Sequence, residues 1–132
     1  MKVKRVVIFL LLLALVGGGV YAAKYFYDLS TYRKAISDIT IGEIDLAQIP
    51  DGVYTGHSEA KWVAATVVVT VKGQRITDIQ LDHRHDQGID AEVIPSRVIE
   101  AQSLQVDIVS GATSSCKVIL EAIENAFKEA AN

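Results

Sequence analysis

The 132-residue chain contains one cysteine, one methionine, one tryptophan and two prolines. A lone Cys116 excludes an intramolecular disulfide, a Cys-x-x-Cys zinc site and a Cys-x-x-Cys-His haem attachment, and no cysteine stands beside the N-terminal apolar run to accept a lipid. Positive charge is scarce where a nucleic-acid surface would need it. Lys2, Lys4 and Arg5 precede residue 24 and no acidic residue does, so the remainder of the chain is acidic and lacks the footprint of a nucleic-acid binder. Charge is missing altogether between Val6 and Ala23. At about 1.5 Å per helical residue, that run is long enough to cross a hydrocarbon layer of roughly 30 Å.

A basic end, an apolar run and a polar domain follow one another in the order of an export signal. Two readings of residues 1–23 stay open. Gly17-Gly18-Gly19 and the small residues Ala22-Ala23 suit a cleaved signal peptide, whereas Lys24-Tyr25-Phe26-Tyr27 has the composition of an interfacial anchor that is retained. Under either reading the three basic residues keep the N-terminus in the cytoplasm and put the domain outside. The expected location is a single-pass cell-membrane protein with an extracytoplasmic domain, or a secreted or periplasmic form after cleavage. Lys4-Arg5 is a poor twin-arginine signal, so export of an unfolded chain is expected.

Residues 24–50 read as a juxtamembrane helix, with Ser30 a candidate N-cap, followed by a linker that is either strand or extended packing segment. Pro50-Asp51-Gly52 is a turn, and residues 51–132 form the domain. Val53 to His57, Trp62 to Val71 and Arg75 to Leu81 read as strands, the last two joined at Lys72-Gly73-Gln74. His83 to Asp90 is a polar loop. Ala91 to Gln102 is helical in composition, with Pro95 best placed in a first turn and Ala91 to Ile94 a candidate separate turn, and Ser114 to Ala131 is an amphipathic helix. The fold class expected is α+β: a small antiparallel sheet covered by two helices, preceded by one transmembrane or signal helix.

Between those two helices stands Val106-Asp107-Ile108-Val109-Ser110-Gly111-Ala112-Thr113-Ser114-Ser115. Small residues that admit a close backbone approach, and hydroxyls gathered before a helix, are the ingredients of a phosphate site. The plainer reading is that Ser114 or Ser115 caps the helix and Gly111 makes the turn. His83 and His85, flanked by Asp82, Asp86 and Asp90, match no established metal-ligand spacing, and no metal is expected. Tyr54 and Trp62 can stack on a ring system or serve as ordinary sheet aromatics.

The stretch Asp107 to Ser115 resembles the flavinylation motif of the FMN-binding domain family, found also in the small flavin subunits of sodium-pumping NADH:quinone reductase and of Rnf-type ferredoxin:NAD reductase complexes. The likeness extends over DGVYTG (Asp51 to Gly56), VKGQRITDIQL (Val71 to Leu81) and IPSRVIEAQSLQVD (Ile94 to Asp107), in the same order. It implies FMN esterified through its phosphate to Thr113, with Ser110, Gly111, Ala112, Ser114 and Ser115 shaping the cofactor site. It also implies a flavin transferase that recognises Asp107, Gly111, Ala112 and Thr113. The subunits of large complexes carry Glu-Thr-Pro-Gly in the loop where this chain has His83 to Gly88, which argues against membership of such a complex. His83, at the end of a strand, is the expected flavin neighbour.

The function expected is electron carriage by FMN, with redox proteins or quinone-linked donors as partners. A noncovalent FMN-binding or sensory module and a small flavin-dependent reductase are the alternatives. The sequence offers no acid, base or nucleophile for independent catalysis.

Overall fold

A computed structural model describes residues 1–84 and 89–130. The chain divides into two units, Met1–Lys34 and Ala35–Asn132. Helix α1 (Lys2–Asp38) supplies the whole of the first unit and the opening residues of the second. Its apolar window has a mean hydropathy of 2.6 over 18 residues, and none of that window is buried within the protein. The helix is long and apolar enough to cross a membrane. It runs without interruption through Gly17-Gly18-Gly19 and past Ser30. Ser30 is therefore an interior helical residue and not an N-cap, because the helix is already running when it reaches Ser30 and has no start there to cap.

The second unit is a three-stranded antiparallel sheet in the order β1-β2-β3, formed by β1 (Gly52–Ala60), β2 (Val63–Lys72) and β3 (Arg75–Arg84). Both connections are two-residue turns. Gly73 and Gln74 have φ of 58° and 62°, the double positive φ that a tight hairpin requires. Asp51 braces this turn by accepting the Gly73 N–H at 2.9 Å. In the other turn Lys61 takes the positive φ, and Trp62 lies in the turn at the head of β2.

Alternation sends Val63, Ala65, Val67, Val69 and Val71 of β2 to the buried face. On β3 the buried residues Ile76 and Ile79 are three apart, which strict alternation forbids. A bulge reconciles them: Val71 pairs with Ile76 and Thr70 with Asp78, so Thr77 has no opposite residue.

Two helices cover the buried face. Helix α2 (Ile94–Ala101) is preceded by a 3-10 turn (Ile89–Val93), which accommodates Pro95 near the helix start. Helix α3 (Thr113–Ala130) packs along β1 and β2 and buries Cys116, Ile119, Ile123 and Phe127. It lies so close to β1 that a Cβ on Gly56 would overlap the Ala122 carbonyl and stand 2.9 Å from the Ala126 methyl. The buried Ser58 hydroxyl donates to Glu121 at 2.7 Å across the same contact.

Residues 39–45 have no regular structure, Leu46–Gln48 form a 3-10 turn, and Ile49 is buried. The segment read as strand or packing segment is thus the latter. Strand β3 runs to Arg84, so His83 belongs to the strand and not to the polar loop; the extra pairs with Ala64 and Ala65 hold it there. His85 and the rest of residues 85–88 lie outside the described part of the chain.

Candidate functional site

The segment between α2 and α3 has no regular structure from Gln105 to Val109 and turns at Ser110 and Gly111. Gly111 adopts φ of 86°, a conformation that favours glycine, and the direction of a Cβ there is open space. The turn is closed by Ala112 N–H donating to the Val109 carbonyl at 3.1 Å. Val109 N–H in turn points at the Cys116 sulfur at 3.4 Å, so the buried thiol braces the turn from beneath.

The first α-helical hydrogen bond of α3 runs from Cys116 N–H to the Ala112 carbonyl at 2.9 Å. Ala112 therefore occupies the N-cap position and Thr113 is the first helical residue. Neither Ser114 nor Ser115 caps the helix, because both lie inside its first turn, half-buried and buried respectively. An alanine has no oxygen with which to cap. The main-chain N–H groups of Thr113, Ser114 and Ser115 consequently have no hydrogen-bond acceptor among the described residues. They stand at the positive end of an 18-residue helix, beside an exposed Thr113 side chain. Open amides at a helix N-terminus are a donor set that suits a phosphate.

Ser110, Gly111 and Asp107 are exposed, and Ala112 is buried. The Asp107 carbonyl accepts from Arg97 Nη1 at 2.7 Å. Arg97 comes from α2, and nothing in the sequence beyond a basic residue ten positions upstream marks it. A groove of about 450 Å³ is lined by this segment together with Arg97, and another of about 510 Å³ by the segment together with Lys117 and Ile41. Among the other candidates, the His83 side chain is 1% exposed and lies 3.9 Å from the Glu92 carboxylate. Glu92 belongs to the 3-10 turn that packs against α3. The Tyr54 hydroxyl donates to the Pro50 carbonyl at 2.6 Å, and Trp62 is 38% exposed.

Comparison with known proteins falls on the same region. The family model for the FMN-binding domain matches residues 61–128, which include β2, β3, α2, all but the last two residues of α3 and the whole Asp107 to Ser115 stretch. A stretch of 79 residues is 33% identical to the NADH:acrylate oxidoreductase of Vibrio harveyi, covering 57% of this chain and only 8% of that relative's length. The family match spans more than half of the chain, including the helix N-terminus with its open amides: the chain belongs to the FMN-binding domain family, and its cofactor is FMN.

Proposed function

We propose that the chain is a membrane-anchored, extracytoplasmic electron carrier whose FMN is joined through a phosphoester bond to Thr113. The observation that carries this reading is the exposed Thr113 at the head of α3, with three amides that have no acceptor among the described residues and an alanine at the capping position. Attachment requires a flavin donor whose phosphate is already part of a phosphoanhydride, such as FAD. The Thr113 oxygen forms a bond to the flavin-side phosphorus, the anhydride P–O bond breaks, AMP leaves, and the hydroxyl proton passes to a base on the transferase. The diester keeps one negative charge, which the open amides and the helix dipole stabilise.

Once attached, the flavin supplies the redox chemistry, and the protein supplies orientation and electrostatics. An ester link suits a domain exported unfolded, since a reversibly held cofactor would be lost by dilution outside the cell. A matching segment that makes up 8% of an oxidoreductase accords with a relay module rather than a complete catalyst. Redox proteins or quinone-linked donors are the partners this role calls for.

The test is coexpression of the full chain with a flavin transferase, followed by denaturing electrophoresis with in-gel fluorescence and by intact mass. The wild type is expected to carry the added FMN mass and Thr113→Ala to lack it while remaining folded. Ser110→Ala and Ser114→Ala are expected to retain it. Flavin released into the supernatant on acid precipitation would favour the noncovalent or sensory module instead. FMN mass on Thr113→Ala would overturn the assignment of the attachment point.

A further inference from the structure

The motif segment is weakly held where it matters. Its start is tethered by Gln105, whose N–H donates to Ser103 Oγ at 3.0 Å and whose Nε2 reaches the Ile41 and Gly42 carbonyls at 3.3 Å. Its end is tethered by the Val109 N–H to the Cys116 sulfur. Among the described residues, the one hydrogen bond that fixes the middle, Val106 to Ile108, is donated by Arg97 to the Asp107 carbonyl at 2.7 Å. Gln105, Val106 and Asp107 line both grooves, and Asp107 and Ile108 are exposed. An exposed segment with few hydrogen bonds opens easily unless a contact holds it. The guanidinium does so from a helix that packs on β3, and is itself placed by the buried Ile94 and Val98 of that helix.

We infer that Arg97 is a positioning residue for cofactor loading: it holds the Asp107 peptide so that the segment leading to Thr113 is presented to the flavin transferase already ordered. The inference rests on the covalent reading above. A segment ordered in advance has less conformational freedom to lose on binding, so the contribution falls on recognition and not on the transfer step. Arg97 touches neither flavin nor hydroxyl in this scheme. It acts through the Asp107 carbonyl alone.

The experiment uses the full chain, free of flavin and purified in detergent, as the substrate of a flavin transferase supplied with FAD, and follows initial rates of FMN incorporation against chain concentration. Arg97→Ala is expected to raise KM about tenfold, the order of one charge-assisted hydrogen bond, with kcat unchanged. Arg97→Lys, which keeps a cationic donor, is expected to recover part of that loss. Thermal melting of each variant separates positioning from folding, because an exposed loop contact leaves the sheet and α3 intact. An unchanged KM in Arg97→Ala, a fall in kcat alone, or a melting temperature that drops in step with KM would each overturn the role. A wild-type chain that takes up no FMN brings down the covalent reading and this inference with it. Normal wild-type loading beside an unaffected Arg97→Ala brings down the inference only.

Discussion

The side-chain amide of Gln102 is bonded to both main-chain groups of Ile76: its Oε1 accepts the Ile76 N–H at 2.7 Å and its Nε2 donates to the Ile76 carbonyl at 2.9 Å. Ile76 lies on the edge strand β3, next to the bulge, so one side chain does there what a fourth strand would otherwise do. Gln102 reaches this position because it ends α2 in the left-handed conformation, with φ of 53°. Gln102→Ala strands two polar groups on a residue 1% exposed and is expected to destabilise the domain by about 2–4 kcal/mol. Gln102→Glu, which sets a carboxylate oxygen against the Ile76 carbonyl, is expected to be at least as damaging. Thermal denaturation decides the matter; an alanine variant that melts with the wild type would mean that water replaces both bonds.

Helix α3 packs on β1 at Gly56 with no room for a side chain. The absent Cβ of Gly56 is what lets the Ala122 carbonyl approach β1, and the obstacle is main chain, which cannot rotate away. Gly56→Ala is expected to destabilise by about 3 kcal/mol or more, lowering the melting temperature by roughly 10 °C or more for a domain of this size. Circular dichroism during heating measures it. Retention of the wild-type melting point would show that α3 can shift on the sheet at no cost.

His83, proposed as a flavin neighbour, is enclosed at the end of β3 beside Glu92. His83→Ala is expected to move the potential or the absorption of bound FMN while the FMN mass is retained. Redox titration and a visible spectrum of the loaded protein are the measurements. If both stay at wild-type values, the imidazole is a packing element only.

The apolar window of α1 leads to a fourth expectation. Intact chain should sediment with membranes and resist salt extraction, since about eighteen apolar residues far exceed what a peripheral contact provides. A soluble form beginning near Ala23 or Lys24 would identify the helix as a signal that is removed.

Much of the fold was legible because its patterns are local. The alternating valines of β2, the Gly73 turn and the helical spacing of Cys116, Ile119, Ile123 and Phe127 each declare an element within a few residues. The features that escaped depend on partners far along the chain. Strand β1 continues to Ala60, beyond the expected His57, with Ser58 satisfied by Glu121 sixty-three residues away. The bulge at Thr77 interrupts alternation, so Ile76 did not declare its face. Ser30 has the chemistry of a cap, but nothing in its neighbourhood stops a helix that is already running. Within the site, the Thr113 motif was readable as a string of residues. The alanine at the cap and the hydrogen bond from Arg97 were not, because each is a matter of where the helix begins and what another helix brings to it.

The close seating of α3 on β1 also sets an order of events. β1 is made early and α3 late, and the inner face of the sheet remains uncovered until synthesis has passed the residues that bury it. The three strands, joined by two-residue turns, can pair while the rest of the chain is still emerging, since neighbours in sequence meet with little loss of chain freedom. The turn that offers Thr113, by contrast, is braced by Cys116, whose burial depends on the finished helix-on-sheet contact. If Thr113 carries FMN as proposed, loading would mark chains that have already closed their core.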